Sequence, residues 1–460
     1  MRDAGVSDAA GSAALTVERD LAAWVEAETG GTIADWHQIS GGNRARSWAV
    51  KLNGAASVYL RYQAPRLPSA EPYTVWREAE IYRALNGSDV VAPRLLGVHD
   101  RHQAIITELK PGRADFRSLR DDREKQAIAF DFVAALAAIH RIDLAQSPIP
   151  GFRPGMSMSD CVRAELDVWA AMYSEVAQPD PLTEFALDWL YGNLPDPDER
   201  PVLVHGDAGP GNFLFDGGRM TGLIDWELAH AGDPMEDLAW FSMRSVMEPV
   251  PDFIACVRQY EKLARRSVDL QRILYHRVFV SARVVIIRHR NVTGLPGNSI
   301  VSRALNRRLL VDALAEAMQT DLPKLPPLNV EETAQGEFYD GVIQSLRDDV
   351  ADVSMDASVR SAAKNNAKVI KYLREVDRLG PMVETNERAA LQTALGEPVE
   401  NVAIGRAQLL AKLRGKDIPF GAALSYFHNI VTRDNQMAAL ASGGLASRHL
   451  PDLSKLRSAT

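Results

Sequence analysis

From Val204 the chain reads Val-His-Gly-Asp-Ala-Gly-Pro-Gly-Asn, ending at Asn212, and then Leu-Ile-Asp-Trp-Glu from Leu223 to Glu227. Two carboxylates and an amide stand here in a fixed order: Asp207, Asn212 and Asp225. Phosphoryl transfer needs such a set. One carboxylate receives the proton of the attacking hydroxyl, while an amide oxygen and a second carboxylate hold a divalent cation against nucleotide phosphates. Asp207 fits the first role, and Asn212 and Asp225 fit the second.

The spacing has a mechanical reading. Phe213-Leu214-Phe215 is a short apolar run with β character, Asp216-Gly217-Gly218 is a turn sequence, and Met220 to Ile224 returns. Glycine and Asp tolerate the positive φ of a tight turn. A hairpin folded there brings Asp225 back beside Asn212, a donor set suited to Mg²⁺, which takes one or two carboxylates together with phosphate and water. Singly, each of these residues would be an ordinary turn polar beside a buried strand; their joint order separates them from that reading.

The segment continues as Gly232-Asp233-Pro234-Met235-Glu236-Asp237-Leu238-Ala239. Together, these motifs resemble the catalytic core of the aminoglycoside phosphotransferase/choline kinase-like family, relatives of the protein kinases. With weaker motifs upstream, the resemblance covers about the first 320 residues and leaves the remainder unaccounted for. It implies an α+β, two-lobed protein-kinase-like fold, followed here by an all-α C-terminal domain. It also implies an ATP- and Mg²⁺-dependent small-molecule O-phosphotransferase with Asp207 as the catalytic residue. His205 and Gly206 would shape the loop, and Asp233 and Asp237 would brace it through backbone hydrogen bonds.

The elements that must position these groups follow a two-lobed order. Val17, Leu21, Trp24 and Val25 recur at helical spacing, ahead of Gly30-Gly31. Short β-like runs follow between about Ile39 and Leu109, interrupted by one helix near residues 74–85. Between strands lies Ser40-Gly41-Gly42-Asn43-Arg44-Ala45-Arg46, where glycines let backbone approach phosphate. Gly41, Gly42, Asn43 and Arg44 are therefore nucleotide-binding candidates, although Arg44 and Ala45 stand where the family commonly has Ser and Asn. Kinases place a Lys on the third strand, paired with a helix Glu. Here the aligned residue is Arg61, as in part of the family; a guanidinium keeps the charge with different geometry. Lys51 is the rival, and Glu78 is the expected partner, ahead of Glu80. Glu108 and Leu109, before Lys110-Pro111-Gly112, resemble the hinge whose backbone reads adenine.

The acceptor is less legible. Glu227 could face it or a second metal. A helical segment from about Leu270 to Arg290 carries Arg277, Arg283 and Arg288 among other basic groups, and in the family such helices wall the acceptor pocket. A basic wall suits an anionic acceptor better than a polycationic aminoglycoside; a solvated basic face is the alternative. The Arg61 variant with Ile-Asp-Trp-Glu also resembles a subgroup that includes kinase domains fused to acyl-CoA dehydrogenases, which act on hydroxyacyl-CoAs. An aminoglycoside or macrolide phosphotransferase and a catalytically inactive nucleotide-binding scaffold are the other readings.

Length and composition agree with a globular protein of more than one domain. The chain has 460 residues, 46% hydrophobic and 24% charged, with a net charge of −8 that argues against general nucleic-acid binding. Cys161 and Cys256 are distant and offer neither a metal framework nor a disulfide framework. No signal peptide is visible, and the most apolar stretch, Val278 to Ile287, is short and broken by Arg283, so a cytoplasmic location without membrane association is expected. The expected divisions are 1–109 (nucleotide lobe), 110–320 (catalytic lobe), 321–332 (Pro-rich linker) and 333–460 (helical domain, open to a protein partner or to self-association). Within the last, helices are predicted near 333–350, 357–378, 384–395, 399–414 and 420–440, with Gly380-Pro381 as a break.

Overall fold

In a computed structural model of the chain, the described residues are 4–39, 45–65, 69–147, 149–176, 178–290 and 297–457. They form two compact units, one of residues 1–162 and 197–268 and another of residues 163–196 and 269–460.

The first unit opens with α1 (Ala4–Thr29) and a five-stranded antiparallel sheet. Its strands are β1 (Thr32–Ile39), β2 (Arg46–Asn53), β3 (Val58–Gln63), β4 (Leu95–Val98) and β5 (Gln103–Glu108), in spatial order β1-β2-β3-β5-β4. Leu21 and Val25 of α1 pack with Trp48, Val50, Val58, Leu60 and Ile106, so apolar alternation along the strands decides which face is covered. Between β3 and β4 lies α2 (Val75–Leu85), capped by Thr74, whose side chain accepts from Arg77 N. Strand β3 is central, and this sets Arg61 opposite Ser47 of β2 and Ile105 of β5.

After α3 (Asp122–Ile139) and the start of α4 (Met158–Ser174), the unit resumes with two short two-stranded sheets. Strand β6 (Val202–Val204) pairs with β9 (His230–Gly232), and β7 (Phe213–Asp216) pairs with β8 (Arg219–Leu223), both antiparallel. Helices α6 (Pro234–Met247) and α7 (Phe253–Ala264) complete it. Both start on Asp N-caps, Asp233 and Asp252. Phe132 of α3 stacks on Phe213 and Phe241, tying the β7–β8 hairpin to α3 and α6.

The second unit is helical. It contains α5 (Pro181–Gly192), α8 (Leu270–Arg290), α9 (Gly297–Ala317), α10 (Gly336–Ser345), α11 (Ala357–Leu395), α12 (Val402–Gly415), α13 (Phe420–Ser442) and the short α14 (Ser454–Arg457). The extra C-terminal helices close onto α5: Phe185 stacks with Phe420 and Phe427, and Arg414 makes a bidentate pair with Glu184 at 2.7 and 2.6 Å. The Pro-rich segment runs extended along α13. His428 reaches Pro323 O, Arg433 donates to Pro326 O, and Gln436 brackets Leu328 with two bonds.

Helix α11 differs from expectation, because it runs unbroken through Gly380-Pro381. A mid-helix proline forfeits one backbone bond and costs about 3 kcal/mol. Here Leu379 and Leu391 are fully buried on either side of it, and burial of that order outweighs the loss. Pro381 itself is exposed. Pro381→Ala should therefore restore the bond at no packing cost and stabilise the second unit by up to about 3 kcal/mol, measured as a higher denaturant midpoint.

Among the described residues no helix is long and apolar enough to cross a membrane.

Candidate active site

The hairpin that sequence spacing predicts is present. Strands β7 and β8 turn at Gly217 and Gly218, both with positive φ (54° and 75°). Pairing of Phe213 with Leu223, extended by Ile224 N donating to Asn212 O at 2.9 Å, brings the chain at Asp225 beside Asn212. Asp225 lies in the left-handed region (φ 68°, ψ 59°), a conformation that a short polar side chain tolerates and that clusters at functional sites. The His205 ring stacks on buried Trp226 and meets Ile224 O at 2.9 Å from Nε2, so it shapes the loop and does not face out of it.

Asp237 holds that loop in place. Its carboxylate is fully buried and accepts from His205 N (2.8 Å) and Gly206 N (3.0 Å), and also meets His140 Nε2 (3.0 Å); His140 Nδ1 in turn meets the Tyr260 hydroxyl at 2.6 Å. Gly206 has φ 78°, and a Cβ there would fall 2.3 Å from Leu228 O. The glycine of the motif is a steric necessity. Asp233 acts as the N-cap of α6, accepting from Met235 N at 2.9 Å.

Asp207 sits half-buried at the end of this brace. Asn212 Nδ2 donates to its backbone oxygen (2.7 Å) and to Oδ2 (2.9 Å). The amide nitrogen is thereby committed, which orients the amide oxygen as the end available to a cation. Arg244 of α6 grips both carboxylate oxygens, through Nε to Oδ1 at 2.7 Å and Nη2 to Oδ2, and gives Nη1 to Pro210 O at 3.0 Å. Sequence reading did not single out Arg244. Its signal was a lone cation at the end of the apolar run Leu238–Met243.

Arg61 is the centre of the second cluster. Its guanidinium contacts Glu78 Oε2 (Nε, 3.0 Å), Asp225 Oδ1 (Nη1, 3.2 Å) and Glu227 Oε2 (Nη2). Lys51 lies elsewhere, 67% exposed and paired with Asp35, and Glu80 pairs with Arg83 on the surface of α2. Arg77 adds a bond to Glu227 O at 3.1 Å. One guanidinium thus faces three carboxyl groups, and the acid surplus falls on Glu78. Burial pushes its pKa up to about 7; Arg61 pulls the other way, and Asp225 and Glu227 reinforce the rise. Such a surplus is where a divalent cation has most to gain. Among the described residues no three His, Cys, Asp or Glu side chains form a closed metal cluster. Asp225 and the Asn212 oxygen are the groups here that could hold a divalent cation, as an open set of the kind Mg²⁺ takes when phosphate and water supply its other ligands.

Gly41, Gly42, Asn43 and Arg44 lie outside the described residues. Glu108 and Leu109 stand at the end of β5, where Glu108 N bonds Arg94 O at 2.8 Å. The chain then turns at Gly112 (φ 114°), where a Cβ would meet Phe215 O at 2.8 Å, and Arg113 exchanges backbone bonds with Phe215 at 3.1 and 3.0 Å. The three arginines of α8 belong to the second unit. Arg277 is buried against Glu316 (2.7 Å) and Pro451 O (2.7 Å), and Arg283 is buried against Glu165 (3.3 Å) and over the Phe279 ring. Arg288 is exposed and lines a small cleft with His289, Arg303 and Arg307. Two of the three basic groups therefore have carboxylate partners within their own unit.

Known proteins resemble this chain in sequence and in fold. The model of a family described as "Phosphotransferase enzyme family" matches residues 35–270. The acyl-CoA dehydrogenase family member 11 proteins of Homo sapiens and Pongo abelii are 33% and 29% identical to the chain over 202 residues, 41% of this chain and 25% of each relative. The match thus spans about a quarter of those relatives' length. Hygromycin-B 4-O-kinase of Escherichia coli is 27% identical over 222 residues, 45% of this chain and 62% of that one. Among solved structures, a Ralstonia eutropha protein assigned as an aminoglycoside phosphotransferase superposes with a TM-score of 0.52 at 19% identity. It covers 66% of this chain and 99% of that one, a likeness of fold.

Two outcomes test the site's internal forces. Removing the brace in Asp237→Ala leaves buried backbone donors without a partner and should cost roughly 2–4 kcal/mol in denaturant unfolding. Glu78 binds its proton more tightly folded than unfolded, so its contribution is full below about pH 4.5 and lost as the pH rises through about 7. Relative to Glu78→Gln, the wild type should lose stability across that window, by about 3 kcal/mol at most.

Proposed function

The chain belongs to the phosphotransferase enzyme family, and from that premise we propose that it moves the γ-phosphoryl group of Mg-ATP to a hydroxyl of a small anionic molecule, with a hydroxyacyl-CoA as the leading class. The observation that carries the transfer reading is the joint placement of Asp207, Asn212 and Asp225 around one braced hairpin. The acceptor class rests on likeness to the acyl-CoA dehydrogenase family members; the hygromycin-B kinase keeps an antibiotic acceptor as the second reading.

In the reaction, the acceptor hydroxyl oxygen bonds to the γ-phosphorus as the bond from phosphorus to the β,γ-bridging oxygen breaks. The electron pair leaves with ADP. Asp207 orients the hydroxyl and takes its proton. A divalent cation, when bound, neutralises charge on the phosphate oxygens; Asp225 and the Asn212 oxygen are the groups that would hold it. Arg61, steadied by Glu78, would turn toward the phosphates in place of the usual Lys, with a bidentate rather than a point-charge grip. Its contact with Asp225 links the nucleotide and metal positions. Catalysis in this arrangement is mostly positioning and charge stabilisation.

The test is ADP release with Mg-ATP across hydroxyacyl-CoAs, aminoglycosides, macrolides, choline and simple sugars. Turnover should appear with hydroxyacyl-CoAs and fall by about 10²–10⁴-fold in Asp207→Asn with nucleotide affinity retained. Turnover confined to an antibiotic would replace the acceptor assignment. No turnover with any acceptor, together with Mg-ATP affinity unchanged in Asp225→Ala, would overturn the transfer reading.

A further inference from the structure

We infer that Arg244 is a positioning residue for phosphoryl transfer, fixing Asp207 so that a single lone pair, on Oδ1, is left to receive the acceptor hydroxyl. The inference rests on the transfer reading above and extends it to a residue outside the motif.

Three observations carry it. Arg244 donates to both Asp207 oxygens, through Nε to Oδ1 at 2.7 Å and through Nη2 to Oδ2. Asn212 Nδ2 adds a second donor to Oδ2 at 2.9 Å. A carboxylate offers about four acceptor positions, two on each oxygen. Oδ2 is therefore filled by Arg244 and Asn212, and Oδ1 keeps one position beside the Arg244 Nε bond. A hydroxyl approaching Asp207 is steered to that position, and its oxygen is thereby aimed.

The second observation is that the arginine also staples the loop, since Nη1 donates to Pro210 O at 3.0 Å. Asp207 and Pro210 are held to one rigid helix by one planar group. A lysine, a point charge on a flexible stem, reproduces the charge but not the three-way fork.

The third is that the loop is built around this side chain. Gly209 and Gly211 have φ of 142° and 95°. A Cβ on Gly209 would lie 2.9 Å from Arg244 Cβ and 3.0 Å from its Cδ, and one on Gly211 would lie 3.1 Å from Nη1. The two glycines of Gly209-Pro210-Gly211 give the guanidinium its berth, so this part of the motif and the distant arginine form one device. Half-buried Glu248, the C-cap of α6, lies 3.8 Å from the Gly211 Cβ position and ties Arg117 N at 2.9 Å, closing the far side of the berth.

The experiment compares wild type with Arg244→Lys, Arg244→Gln and Arg244→Ala, the last with and without millimolar guanidinium, using an acceptor that the wild type turns over. Expected are a kcat lower by about 10²-fold in the Gln and Ala variants, a Mg-ATP KM within about threefold of wild type, partial recovery in Lys, and recovery of Ala by guanidinium. A kcat within threefold of wild type in Gln and Ala, or a loss borne by KM with kcat kept, overturns the inference. So does a kcat loss that neither lysine nor guanidinium relieves. Amide hydrogen exchange of residues 205–213 is measured alongside with no acceptor present. Faster exchange in Arg244→Gln at unchanged global stability supports the clamp even where the acceptor assignment fails, and unchanged exchange refutes it.

Discussion

A single guanidinium faces three carboxyl groups at the centre of one of the two polar clusters of the site. Arg61 joins the central strand of the sheet to α2 through Glu78 and to the Asp-Trp-Glu segment through Asp225 and Glu227. Without it, three buried or half-buried acids would share one neighbourhood, an arrangement that costs several kcal/mol unless they are paired or protonated. The strand, the helix and the Asp-Trp-Glu segment thus share one cation. The acid surplus that remains is relieved at Glu78, the most deeply buried of the three.

The Asp207 side of the site obeys a different constraint. Asp207 is not placed by its own strand; it hangs from a loop whose backbone donors go to Asp237 and whose carboxylate goes to Arg244 and Asn212. Asp237 and Arg244 both come from α6, so one helix fixes the Asp207 loop at His205-Gly206 and again at Asp207 and Pro210. The helix is fixed in turn by the His140–Tyr260 relay behind Asp237 and by Phe241 against Phe132. On the proposed transfer reaction, this double anchoring would supply the stiffness that aligning an attacking hydroxyl requires.

The helical second unit shows how an added segment is absorbed. Its C-terminal helices close on α5 through aromatic stacking and the bidentate Arg414–Glu184 pair, while the Pro-rich stretch is strapped to α13 by side-chain bonds to its carbonyls. Buried and half-buried arginines recur in this unit, each on a carboxylate: Arg277 on Glu316, Arg283 on Glu165, and Arg307 on Asp180. Such pairs contribute little net stability but are costly to break on one side. They also explain why a basic count along α8 is a poor guide to what a ligand would feel.

The sequence by itself determined the local chemistry. The order of Asp207, Asn212 and Asp225 and the turn at Gly217-Gly218 were legible because hairpin reversal depends on neighbours a few residues away. It also marked Arg61 and Glu78 as a pair, through a resemblance that fixes strand and helix order. Tertiary structure alone decided the rest. Arg244 reaches Asp207 across 37 residues, and no periodicity encodes a contact of that range. Helix α11 passes through Gly380-Pro381 because Leu379 and Leu391 are buried, a packing term that outweighs local propensity. Arg277 and Arg283 read as part of a basic wall for the acceptor, or else as a solvated face, because helical spacing gives charge without partner. Their partners come from Glu316 and Glu165, on other helices of the same unit, and only the folded arrangement of those helices could assign them.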